Sequence, residues 1–221
     1  MSKFIFSMSL NPGLIGNYLI LSDLAYERNN IEEAMKYLDD AFPIDKNNID
    51  LIFRKSKYAR LNKNYDIAIS SLQSIIPEDN SLKLMINREI FIIHIDMEDY
   101  LTAIEHGTVL VENMLENTDI EDLVLSETCY NLAICNRHMG YELYNSVIEV
   151  INSATDNKEA LSNALEDANN SIVYFTSAKK RFLDAGSFNP DDKTSAANAK
   201  ELSKIIKQLK RLFIPSLEEK L

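Results

Sequence analysis

The chain has 221 residues, 46% of them hydrophobic and 26% charged, with a net charge of −11. That is enough for one sizeable core or two small ones. Five glycines, five prolines and sparse valine argue for helices throughout and against a sheet-rich fold, and an acidic surface repels phosphate backbones, which excludes general nucleic-acid binding.

In chain order, the opening "MSKFIFSMSLNPG" has one lysine and a short apolar run broken by serine. It lacks a small-residue cleavage site and is expected to be a mature start, not a signal peptide. Apolar residues then recur at Tyr18, Leu21, Leu24 and Ala25, a helical spacing. The turn "RNN" follows. Asn30 is placed to cap a second helix, with Glu33 three positions on to reach back and close a capping box. Ala34 and Ala41 are small where a paired helix passes close, and Pro43 forbids a further helical turn.

Shifted by 34 positions, the chain repeats itself. Ser22 meets Ser56, Ala25 meets Ala59, Asn30 meets Asn64, Ala34 meets Ala68, Leu38 meets Leu72, and Pro43-x-Asp45 meets Pro77-x-Asp79. The matches fall where two packed helices need small or shaped residues, so chance is a poor explanation. A shift of 35 brings "DYLTAI" onto "NYDIAI", with Tyr100 on Tyr65 and Ala103 on Ala68. A fourth start, "CYNLAICNRHMG", is expected to end its helix at Gly140.

After Gly140 the pattern changes to long helices, with a break expected near "SATDNK". Ala160, Ala164, Ala168, Ile172, Phe175, Ala178 and Phe182 trace one amphipathic helix that Gly186 is expected to end as a C-cap. A last helix, about 191 to 213 with Asn189 or Asp191 as its cap, carries Leu202, Ile205, Ile206, Leu209, Leu212 and Phe213, and Pro215 is expected to stop it. Its other residues include Lys193, Lys200, Lys204, Lys207, Lys210 and Arg211 against Glu201. Such a basic face suits an anionic surface or acidic partner, or is simply the solvated side of a capping helix.

The copies resemble the tetratricopeptide repeat family, whose unit is a helix–turn–helix of about 34 residues. Tyr18, Leu21, Ala34, Leu38 and Ala41 match its pattern in the first copy, and Ile52, Ala68 and Leu72 in the second. Ile90 and Ala103 match in the third, and Cys129, Leu132, Ala133 and Gly140 in the fourth. The family's tryptophan is absent, Ser22 and Ser56 replace its small Gly or Ala, and Gly107 stands where a large residue belongs. The resemblance implies an all-α, right-handed α-solenoid: repeats at about 17–46, 51–80, 86–116 and 123–140 onward make up residues 1–140, and residues 141–221 continue or cap the stack.

The resemblance further implies a concave face lined by the first helix of each copy. By register, this face holds Leu19, Tyr26, Phe53, Lys57, Arg60, Arg88, Ile92, Tyr130 and Arg137. Aromatic and aliphatic anchors beside cations suit an extended or helical peptide with apolar side chains and some negative charge. The carboxylate clamp by which some relatives hold chaperone tails is missing, since Leu19, Asp23, Arg54, Met85 and Glu89 occupy its places.

Catalytic constellations are not evident. His94, His106 and His138 lie far apart, no Gly-rich phosphate loop, HExxH or GxSxG occurs, and calcium-loop spacing is missing. Cys129 and Cys135, six residues apart on one helix, point about 120° apart and cannot bridge, so both are expected to be core residues. The expectation is a cytoplasmic, non-enzymatic, cofactor-free adaptor that binds a protein or peptide, without a membrane span. The alternatives are a structural subunit that docks through its C-terminal helices, as a homo-oligomer or within a larger complex, and a secretion chaperone for apolar clients.

Overall fold

A computed structural model describes residues 14–117 and 119–221; the N-terminal opening lies outside the described residues. The described residues form α-helices α1 (Ile15–Glu27), α2 (Ile31–Ala41), α3 (Ile49–Leu61), α4 (Tyr65–Gln73), α5 (Asn80–Asp96), α6 (Tyr100–Leu115), α7 (Asp122–Ser153), α8 (Lys158–Phe188), α9 (Lys193–Gln208) and α10 (Ile214–Lys220), with a π turn at Leu209–Phe213. They fall into two compact units, Met1–Met97 and Glu98–Leu221. Among the described residues no helix is long and apolar enough to cross a membrane.

In the first unit the repeat is written in the backbone. α1 ends with Asn29 in the left-handed region (φ 59°), and α3 ends with Lys63 at φ 60°. Behind each, the same pair of bonds closes the helix. Asn30 N–H donates to the Ala25 carbonyl at 3.0 Å and Asn29 N–H to that of Tyr26 at 2.8 Å; Asn64 N–H donates to Ala59 at 2.8 Å and Lys63 N–H to Arg60 at 2.9 Å. These are two Schellman motifs, which satisfy carbonyls that a helix end leaves orphaned. Glu98 (φ 59°) holds the third such position, ahead of Asp99.

Each turn hands directly to the next helix. The Asn30 side chain accepts from Glu33 N–H at 3.1 Å, as its position predicts. The Glu33 carboxylate meets the Asn30 side-chain amide at 3.0 Å and not its backbone N–H, because that N–H already closes the preceding helix. Ala34, Ala68 and Ala103 then sit at the same helical position, their N–H groups bonded to Asn30, Asn64 and Asp99, and all three are fully buried. Pro43 follows the end of α2, as expected. Ala25, Ala34, Leu38, Ala41, Ile52, Tyr58, Ala59, Ala68, Leu72 and Ile90 belong to one core. The repeat thus recurs in the turns, in the small residues and in the core.

The second unit is built on the antiparallel packing of α7 against α8. The break at "SATDNK" is present: Ala154 takes a left-handed conformation (φ 47°), and Asn157 caps α8 through Glu159 and Ala160 N–H. α7 and α8 approach closely because small residues face each other. Ser126 Oγ donates to the Ala185 carbonyl and Ser171 Oγ to the Gly140 carbonyl, both at 2.9 Å and buried.

Three expected helix stops are corrected. α7 runs through Gly140, which is buried beneath Phe175 and serves close approach, not termination. α8 runs through Gly186 to Phe188, with Asn189 at its end. The helix after it begins at Lys193, two residues later than expected, and its cap is neither Asn189 nor Asp191 but Asp192, which accepts from Thr194 and Ser195 N–H. Pro215 does not end the chain's helicity but stands in the first turn of α10, just after the π turn. A proline ring collides with the carbonyl four residues back in an α-helix, and a wider turn removes that collision. The extra residue also corrects the phase. Leu202 and Leu209 lie seven apart, and Leu217 another eight, which in a plain α-helix would swing it about 80° off their seam. With the π turn between, all three are buried in the core of this unit.

Candidate functional site

The candidate groove residues divide between the units: Leu19, Tyr26, Phe53, Lys57, Arg60, Arg88 and Ile92 in the first, Tyr130 and Arg137 in the second. In the first unit, first helices of successive copies are tied side to side. Arg54 on α3 grips Asp23 on α1 with two prongs, Nε to Oδ1 at 3.0 Å and an Nη to Oδ2 at 3.1 Å. The Tyr58 hydroxyl donates to the same Asp23 Oδ1 at 2.6 Å. Arg60 pairs with Asp96 on α5 at 2.6 Å, and the Tyr65 hydroxyl donates to the Asp96 carbonyl at 3.0 Å.

The charges respond to these contacts. Burial pushes the Asp23 carboxyl up, but the bonds from Arg54 and Tyr58 outweigh it and hold the group below the ordinary aspartate value of 3.8. Arg54 is raised, chiefly by its bond to Asp23. Tyr58 is raised by burial and then by the bond to Asp23, so it stays a donor.

The aromatic side chains extend the arrangement. Tyr26 stacks on Tyr58 with centroids 5.0 Å apart and planes 19° apart, and Lys57 Nζ stands 5.3 Å above the Tyr26 ring. Tyr26 and Phe53 are half-buried against the core, and Lys57 is exposed. On α5, Met85, Arg88 and Ile92 share a face by helical spacing; Met85 is 53% exposed and the other two are half-buried. Arg88 lies 3.8 Å from Glu89. Leu19 differs from the rest, being buried among the core residues, so it supports the surface from behind and does not present itself on it. Sequence reasoning missed Tyr58: a tyrosine next to Lys57 carries no local sign that it reaches an aspartate one copy back.

In the second unit, Tyr130 and Arg137 face the chain's own helices. The Tyr130 ring meets Phe182 edge-on at 5.3 Å, and the Arg137 guanidinium lies 5.7 Å over the same ring. Arg137 also donates to Asn198 on α9 at 3.3 Å, and one turn on the Tyr141 hydroxyl donates to Glu201 at 3.0 Å. Thus α9 lies along α7 as α3 lies along α1, and it covers Arg137. Tyr130 retains one open side, where it lines a cleft of about 360 Å³ with Glu127, Asn131 and Asp192.

No group of three or more His, Cys, Asp or Glu side chains could hold a metal ion among the described residues. The His138 ring packs against Tyr100 with centroids 4.1 Å apart and planes tilted by 35°, and lies 3.3 Å from the Glu142 carboxylate.

No family profile and no curated protein matches this chain. Solved structures do. YrrB, described as a TPR protein with an unusual peptide-binding site, is 14% identical with a TM-score of 0.46, over 91% of this chain and 97% of its own. MamA is 14% identical with a TM-score of 0.45, over 90% of this chain and 95% of its own. The Cut9–Hcn1 hetero-tetramer of the APC/C is 12% identical with a TM-score of 0.35, over 90% of this chain and 44% of that one.

Proposed function

We propose that the chain is a non-catalytic protein-interaction module, and that the face of α1, α3 and α5 in the first unit binds a segment of a partner protein. One observation carries this reading. The three helices are locked side to side through Asp23–Arg54 and Arg60–Asp96, while Met85 is exposed, Tyr26, Phe53 and Ile92 are half-buried, and Lys57 stands over the Tyr26 ring. A surface already fixed by its own ion pairs loses little freedom when a ligand docks. Amphipathic aromatic rings next to cations favour a segment with apolar anchors and acidic neighbours.

The test is selection of peptides from a displayed library on the full chain, followed by titration against Tyr26→Ala and Lys57→Glu. The expected loss is about tenfold for Tyr26→Ala, as for a central aromatic anchor. A selected peptide that binds the wild type and both variants alike would place the site elsewhere.

A further inference from the structure

The lysines of α9 form a single stripe. Lys193, Lys200, Lys204 and Lys207 follow one another by seven, four and three residues, which keeps them within about 40° of one line along some 21 Å of helix. All four are exposed, and Lys210 and Arg211 continue the run into the π turn. Residues 193–211 hold six cations and one acid, whereas the remaining 202 residues hold 17 cations and 33 acids. The one acid, Glu201, accepts the Tyr141 hydroxyl and so faces α7. Among the described residues none of the six cations is ion-paired, although the chain has acids to spare. The opposite face of α9, through Ser195, Ala199 and Leu202, is buried in the unit's own core.

From this we infer that the α9 stripe is a second binding surface, and that its occupant is an acidic helical segment of a partner protein. Three considerations select that occupant. A lipid surface is held by an amphipathic helix whose apolar face inserts, and that face of α9 is already occupied by the core. An extended nucleic acid reaches beyond the stripe to the strongly acidic remainder of the chain and is repelled there. A short segment about 21 Å long meets only the stripe, because screening at physiological ionic strength cuts off more distant charges beyond about 8 Å. The inference does not depend on the first unit's surface, with which it shares no residue.

The test uses a fluorescein-labelled helical peptide of repeating Ala-Glu-Ala-Ala-Glu, titrated by anisotropy against the full chain, K200E/K204E/K207E, and the matched reversal K36E/K46E/K83E in the first unit. The stripe variant is expected to lose at least about tenfold in affinity and the matched variant less than about twofold. Raising salt from about 0.05 to about 0.3 M should weaken wild-type binding. K200Q/K204Q/K207Q, which adds no repulsion, should lose an intermediate amount, with circular dichroism reporting folding. Equal losses in both reversed variants would reduce the effect to net charge and overturn the stripe. So would absence of peptide binding, or tighter capture by phosphatidylserine-containing vesicles than by the peptide.

Discussion

The ring of Phe175 on α8 fills the space that a side chain on Gly140 of α7 would need: a Cβ there would stand 2.6 Å from Phe175 Cδ1 and 2.7 Å from Cε1. Phe175 is fully buried and hemmed in by Tyr141 and Tyr144, so the ring has nowhere to go. Overpacking costs about 1–3 kcal/mol, against about 1 kcal/mol gained when alanine replaces glycine in a helix. Gly140→Ala is therefore expected to destabilise by about 1 kcal/mol in urea unfolding. Gly186→Ala should do the reverse. Its Cβ would meet only Ser195 Cβ at 3.7 Å, an ordinary contact, so about 0.5–1 kcal/mol of helix propensity is gained. Two changes of the same sign would show that the α7–α8 approach is not what distinguishes these glycines.

Those two glycines also mark how far the sequence was legible. In the first unit, periodicity, the cap at Asn30 and the buried alanines all act locally, and each could be read from a few neighbouring residues. Gly140, Gly186 and Pro215 are stop signals by the same local reasoning. Gly140 was overruled by a partner far along the chain, since Phe175 needs the space above it, and Pro215 by the π turn before it, which restores the phase that buries Leu217 with Leu202 and Leu209. The surface shows the same split. Tyr26, Phe53 and Lys57 followed from register, whereas the covering of Arg137 by Asn198 and the bond from Tyr58 to Asp23 depend on which helix lies alongside. Periodicity within one helix carries no such information.

Lys63 is a lysine in a left-handed conformation, at the position where Schellman motifs favour glycine. A side chain there costs about 1–2 kcal/mol, part of which glycine returns as greater freedom in the unfolded chain. Lys63→Gly is expected to stabilise by about 0.5–1 kcal/mol, and Asn29→Gly by less, because asparagine tolerates this region. Thermal unfolding of the two variants beside the wild type measures the order. A destabilised Lys63→Gly would mean that the lysine side chain contributes more than its backbone costs.

Cys129 and Cys135 are fully buried on α7. Burial pushes the Cys129 thiol up to about 11 and the Cys135 thiol up to about 12. The reactive species is the thiolate, so both are expected to be silent towards a thiol reagent at neutral pH in the folded chain and to react on unfolding. Labelling with Ellman's reagent, with and without denaturant, tests this. A thiol that reacts rapidly in the native protein would contradict its placement in the core.

The Asp23 carboxyl binds its proton less readily in the folded chain than in the unfolded one, since Arg54 and Tyr58 both hold the anion. Its contribution to stability is therefore complete above the unfolded value of 3.8 and is lost as pH falls through the lower folded value. Asp23 and Arg54 are partly open to solvent, at 44% and 31% of their side chains, so the contribution is about 1 kcal/mol or less. The wild type should exceed Asp23→Asn in unfolding free energy by that amount near neutral pH, and the gap should close on acidification below about pH 4. If the gap stays constant across that range, the cost of Asp23→Asn comes from packing and not from the charge that joins α1 to α3.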